Sequence, residues 1–530
     1  MKESFSVILF LLFFLCSCTS RFEEYNTDQK GYPEELQKID NYWYAIPIMN
    51  LQHGIYFNYD WGAGKNWTFQ IMQNLGPDMF AGYFHNYKPF NGGLSNSVYL
   101  LNDTWNASMW ENTYWYIVPE GKKAESRNKD VIPEFYAITK ILKVEIMHRL
   151  SDVYGPIMYN DFGNSKLGGV PDSQEEVYMS FFADLEEAVR ILTEHKSSTK
   201  FARFDFMMPE NKKNCEQWIK FANSLRLRLA IRISKVDPWK AKDEVRKSLD
   251  PANGGLLETF GDIVAVSAVE TGYTNPLGEV NKAWGEVQMN ANMESVLTGY
   301  EDPRLSHYFE YAEDEKYKGT YKGIRQGTGF NHQKYKNHSK STISQSSNAV
   351  LMTAAEVWFL RAEAALRGWS AESPKECYER GVRESFAQWN IQSEAVEQYL
   401  LSDNVAADYV DAFNSSYDIK ARCLVSPKWE EDVDREVKLE KIITQKWIAC
   451  YPEGCEAWTE QRRTGYPRLF PVKENRSEGL IDTEIMIRRL NFPVNLKYTS
   501  PEQYDKLCEK LGGPDHGGTR LWWDTGEPNF

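Results

Sequence analysis

Apolar positions recur at helical spacing over long stretches of this chain. In CEQWIKFANSLRLRLAIRIS, Trp218, Phe221, Ala222, Leu225, Leu229 and Ile233 fall on one face, while Leu227 and Ile231 add a second. A helix apolar on two sides is expected to be buried on both. AVLMTAAEVWFLRAEAALRGW gives the same pattern with Leu351, Ala355, Trp358, Ala362, Leu366 and Trp369, and Gly368 supplies a stop. Alanines at 354, 355, 362, 364 and 365 let a partner helix approach closely. Three more stretches predict helices: IPEFYAITKILKVEIMHRLSDVYG, SQEEVYMSFFADLEEAVRILTEH and REVKLEKIITQKWIACY. The second opens with an Asp172/Ser173 cap.

Strand signals are few and short, GDIVAVSAV at 261–269 being the clearest. Between the helices lie long segments rich in Gly, Asn and aromatics, at 54–97, 251–290 and 310–348. Loops of that length in a compact body are usually functional or disordered, and their aromatic content argues against disorder. Helix pairs with alanine contacts and aromatic knobs suggest tetratricopeptide-type packing, although no strict repeat period is visible. The expected fold class is therefore all-α, with long loops and little β structure.

The N-terminus follows another pattern. The apolar run Val7–Leu15 is too short to span a bilayer, which takes about 20 residues, and suits the core of a secretory signal. It ends in Leu15-Cys16-Ser17-Cys18, which resembles the lipobox of bacterial lipoproteins, with Cys18 as the lipidated residue. A thioether to diacylglycerol requires a nucleophilic sulfur, and several acyl chains hold a protein firmly where one does not. This divides the chain into a signal peptide at 1–17, a lipidated tether at 18–32 and one helical domain at 33–530.

Net charge is −14 and the isoelectric point about 5.3, which argues against nucleic acid as a partner. The other cysteines, at 215, 377, 423, 450, 455 and 508, form no CxxC; Cys450 and Cys455 either pair or are buried free thiols. Catalytic signatures are missing: there is no HExxH, GxSxG or P-loop, and the eight histidines lack metal-ligand spacing. The acidic run 429–440 reads as a solvated helix face. No cofactor is expected, no metal ligands are assigned, and a structural calcium ion is compatible with the sequence without being indicated by it.

Aromatics make up 14% of the chain: 17 Trp, 30 Tyr and 27 Phe. Their rings offer flat apolar faces with a polar handle. Sugar rings present C–H faces that stack on such surfaces, while their hydroxyls need Asn, Gln, Asp, Arg or Lys nearby. NYDWGAGKNWTFQ, GYFHNYKPFNGG and GYTNPLGEVNKAWGE interleave these types on expected loops. They yield Trp61, Trp67, Tyr83, Tyr87 and Trp284 as candidate ligand-binding residues.

The order of segments along the chain resembles that of SusD/RagB-type outer-membrane lipoproteins. The matching pieces include RFEEYNTDQKGYPEEL after the lipidated cysteine, RLSDVYGPIMYNDF, VPDSQEEVYMSFFADLEEA and WIKFANSLRLRLAIRIS before VDPWKAKDEV. YEDPRL, VLMTAAEVWFLRAEAALRGW and KIITQKWIACYPEGCEAWTEQRRTGYPRL follow. The resemblance implies a SusD-like body of four tetratricopeptide-like helix pairs, with ligand-binding loops on the opposite side. It also implies a non-enzymatic protein on the outer-membrane surface, one that captures a glycan and delivers it as a lid to a SusC-like TonB-dependent transporter. Glu23 and Glu24 loosely resemble an acidic surface-export signal. The residues of the matching motifs read as structural: Trp447 and Trp458 pack helices, Arg462 and Arg463 meet buried acids or carbonyls, and Asp302-Pro303 opens a turn or a helix. The alternatives are a peptide-binding member of the same family and a surface glycoside hydrolase whose two carboxyls meet only in space.

Overall fold

The computed structural model describes residues 38–55, 66–162, 169–272, 274–328 and 332–530. Cys18, the expected tether and Trp61 lie outside the described residues. By its internal contacts the chain divides into residues 1–46 and 47–530, and every element below lies in the second unit.

The periodic stretches fold as the spacing predicts. Helix α1 (Val118–Asn128) packs on α2 (Pro133–Tyr154), and α2 pairs with α3 (Gln174–Glu194). Helices α4 (Cys215–Arg232) and α5 (Pro238–Leu249) form the next pair, then α6 (Ala354–Leu366) with α7 (Pro374–Gln388). Last come α8 (Arg435–Ala449) and α9 (Gly454–Thr464). Ser173 caps α3 with a full capping box, its side chain accepting from Glu176 N while Glu176 bonds back to the Ser173 N–H. Helix α4 is buried on nearly all sides, as its two apolar faces require.

Two stretches depart from the sequence reading. Ala349–Met352 is a strand (β4), and the helix starts only at Ala354, after Thr353 accepts from Glu356 N. Four consecutive apolar residues carry no period, so the capping threonine decides the boundary. The acidic run 429–440 is helical only from Arg435, and Glu440 is buried rather than solvated.

Strands are few. β1 (Phe84–His85) pairs antiparallel with β3 (Gln288–Met289), and β2 (Val264–Val266) pairs antiparallel with β4. Among the described residues no helix is long and apolar enough to cross a membrane.

Charges, not only hydrocarbon, fill the interface between α4, α6, α8 and α9. Arg228 bonds Glu356 through two 2.8 Å contacts. Arg232 reaches Glu456 at 2.5 Å and Glu460 at 2.7 Å, and Lys446 reaches Glu456 at 2.8 Å. Arg463 grips Glu363 at 2.6 and 2.8 Å and Glu460 at 2.7 and 2.9 Å. Burial alone would raise the Glu456 carboxyl, yet Arg232, Lys446 and Arg228 hold it down at about 2. Arg462 has carbonyl partners instead, donating to Arg488 O at 2.6 Å while lying 3.6 Å above the Trp458 ring. Trp447 and Trp458 are buried, their indole N–H groups donating to Ala81 O and Ile487 O. Both arginines and both tryptophans thus have the structural roles expected of them. Asp302-Pro303 leads into a one-turn helix, Leu305–Tyr308, with Asp302 bonded to the Arg304 guanidinium at 2.6 and 3.0 Å. Cys450 and Cys455 are buried and unpaired.

Candidate ligand-binding face

Three of the long loop segments are woven into one body. β1 and β3 join residues 84–85 to 288–289. Bridges from Gln288 to Lys340, from Asn290 to Ile324 and from Phe309 to Ser341 bring in the third segment. Met289 N donates to Ser339 O at 2.7 Å and Ile324 N to Met289 O at 2.9 Å. Each exchange satisfies backbone groups that an irregular loop would otherwise leave to water. Pro77–Phe80 anchors the first segment on α9 at Gly454. A Cβ there would lie 2.3 Å from Asp78 Oδ1, so only glycine permits that approach.

This weave has a core of its own around Tyr87, whereas Tyr83 is buried against the helical body. Tyr83 is wholly buried; its hydroxyl donates to Trp447 O and its ring lies 5.4 Å from that of Trp447 and 5.7 Å from that of Tyr451. Tyr87 is 7% exposed and packs with Ile324 and Tyr335, while its N–H donates to Gln288 Oε1 at 3.0 Å. Neither ring has a face open to a ligand, so the expectation is corrected for both. Large loops bury their own aromatics, and the alternation of ring and polar residue does not tell an inward ring from an outward one.

Trp67 and Trp284 are placed differently. Trp67, 48% exposed, stands on the single turn Asn66–Phe69, which packs on Pro276–Gly278 and Glu279–Ala283. Trp284 ends that second turn with its N–H on Glu279 O at 3.2 Å, and its side chain is half-buried. Residues far apart in sequence therefore put two tryptophans on touching segments. Polar groups tie the same segments together. Gln70 donates to Glu286 Oε2 at 2.6 Å, Lys88 pairs with the other Glu286 oxygen, and Gln345 donates to Glu279. Lys282 pairs with Glu310 at 2.5 Å, and the next residue, Tyr311, is 56% exposed with its ring 4.7 Å from that of Tyr321.

The Tyr311/Tyr321 pair was not among the sequence candidates. Its segment reads as an aromatic loop, but only the fold shows which of its tyrosines face outward. Glu279, Glu286 and Glu310 are each engaged by a lysine or an amide, an arrangement suited to holding hydroxyls and amides. Among the described residues no group of three or more His, Cys, Asp or Glu is arranged to hold a metal ion.

The profile of the SusD-like family, described as SusD and RagB outer membrane lipoprotein, matches residues 24–524. A SusD homologue from Bacteroides vulgatus is 46% identical, covering 93% of this chain and 100% of its own, with a TM-score of 0.87. A chitin-binding SusD homologue from Flavobacterium johnsoniae is 38% identical over 92% of this chain and 100% of its own, also with a TM-score of 0.87. A SusD homologue from Bacteroides uniformis is 34% identical over 91% of this chain and 99% of its own, with a TM-score of 0.79. No curated protein matches the chain.

Proposed function

Because this chain belongs to the SusD-like family of outer-membrane lipoproteins, we propose that it binds a neutral oligosaccharide on the loop face and passes it to a SusC-like TonB-dependent transporter. Cys18 would be the lipid anchor, holding the body at the cell surface. The observation that carries this reading is the joining of Trp67 and Trp284 on touching turns, with Lys88, Glu286 and Gln70 beside them. Stacking on the two indoles would supply affinity, and the charged and amide groups would select among hydroxyl patterns. The chitin-binding relative makes N-acetylglucosamine oligomers the first ligands to try.

The test is calorimetric titration of residues 19–530 with chitin, cellulose, starch and xylan oligomers, with peptides as controls. Trp67→Ala and Trp284→Ala are each expected to weaken the best ligand about tenfold, a loss of about 1.4 kcal/mol, near the upper end of what an aromatic contact contributes. Heat from peptides alone would move the protein to peptide capture, and cleavage of an oligomer during titration would make it a hydrolase. Recovery of a TonB-dependent barrel with the tagged protein from detergent-solubilised outer membranes tests the transporter partnership.

A further inference from the structure

Sharing no lining residue with the Trp67/Trp284 site, a groove of about 590 Å³ opens where the pair α4/α5 meets the pair α6/α7. Its walls are the last turn of α5, the Asp250–Asn253 turn, the Gly255–Glu258 segment, Arg361 on α6 and the Trp369–Glu372 linker. The volume falls within the range of small-molecule sites, about 300–1,000 Å³.

One wall is built around tryptophans and a fixed arginine. The Arg361 guanidinium lies 3.7 Å from the centre of the Trp358 ring, bonds Glu372 through Nε at 3.0 Å and reaches Glu258 at 3.3 Å. Trp358 is fixed in turn by donating to Glu258 O at 2.8 Å. Gly368, with φ +70°, turns the chain at the end of α6, and the Trp369 N–H closes the turn on Ala364 O at 2.9 Å. This turn leaves the Trp369 ring half-buried at the groove wall, and its indole N–H has no protein acceptor among the described residues.

Around that ring stand unspent polar groups. Arg246 makes no ion pair among the described residues, and Asp250 uses only one oxygen, on Ala252 N at 2.9 Å. Ser370, whose Oγ accepts from Glu372 N at 3.4 Å, keeps its hydroxyl hydrogen to donate. Guanidinium and carboxylate groups are nearly balanced, with one more carboxylate than arginine, which disfavours a phosphate or an acidic sugar. None of the lining residues is a large exposed hydrophobic.

We infer that this groove is a second carbohydrate site, taking a short segment of a neutral glycan with Trp369 as the stacking surface and Arg246 and Asp250 as hydroxyl partners. Two sugar-binding surfaces on one chain raise retention on a polymer above that of either alone.

The test uses residues 19–530 in native affinity gels containing glycol chitin, hydroxyethyl cellulose, soluble starch or xylan. The double variant Trp67→Ala/Trp284→Ala isolates the groove. It is expected to keep a several-fold residual retardation in the retaining gel, and adding Trp369→Ala or Arg246→Ala should abolish it. Arg246 is exposed, so its loss does not endanger folding, and circular dichroism checks the tryptophan variant. Residual retardation that is absent, or unchanged by both additions, overturns the groove as a sugar site while leaving the loop face intact. Wild-type protein that no gel retards removes both readings. Loss of barrel recovery in Arg246→Ala with glycan retardation unchanged would overturn the proposal in favour of a protein contact.

Discussion

Asp78→Asn is expected to stabilise this protein at neutral pH. Asp78 is wholly buried on the turn that ties the loop face to α9. Its Oδ1 accepts from Gln73 Nε2 at 3.0 Å and from the Gly454 N–H, but its Oδ2 has no partner. Arg149, whose charge acts on Asp78, is already committed to Glu453 through two 2.8 Å contacts. Burial first, and then the Glu453 charge, push the Asp78 carboxyl up to about 8 from an ordinary 3.8. The folded state therefore keeps a proton that the unfolded chain releases near pH 4. A raised folded-state pKa contributes stability that is complete below pH 4 and declines by about 1.4 kcal/mol per pH unit up to about 8. At pH 7 the unfolded chain has gained about 4 kcal/mol from ionising this one group. Asparagine keeps the Oδ1 bonds and the shape and has no such ionisation. Urea unfolding at pH 4 and pH 7, followed by tryptophan fluorescence, reads the difference. The variant should match the wild type at pH 4 and exceed it at pH 7 by a few kcal/mol. A variant equally or less stable at pH 7, or a difference that does not change with pH, would refute the reasoning.

Arg463→Met is expected to cost about 3–5 kcal/mol, because Glu363 and Glu460 lose a fully buried partner; adding Glu363→Gln should recover part of it, as the same denaturation assay reads. Gly454→Ala should cost about 1–3 kcal/mol, since the new methyl collides with Asp78, and a wild-type midpoint would refute the close approach. Cys450 and Cys455 should both resist a thiol reagent in the native protein and both react after unfolding without reductant, whereas a disulfide would leave them silent throughout. Burial also pushes both thiols well up, so raising the pH to 8 should not expose them.

The helices were legible from local pattern alone. Apolar residues three and four apart, with Ser173 before α3 and Gly368 after α6, define elements whose hydrogen bonds close within the segment. The order of those segments identifies the family. Arg228 and Arg232 were not legible as core residues: an arginine on a helix reads as solvated until its carboxylates, on helices far along the chain, are brought against it. The loop face shows the same limit more sharply. Composition marks its segments as aromatic and polar, yet Tyr83 faces the core while Trp67 and Tyr311 face outward. The difference lies in pairings such as Phe84 with Met289 and in the packing of Asn66–Phe69 on Pro276–Gly278, contacts between residues about 200 apart. Sequence by itself determined the helical elements, their order and the kinds of side chain available for binding. Tertiary structure alone decided which rings face a ligand and which charges are buried in pairs, because orientation in an irregular segment is set by distant partners and not by neighbours.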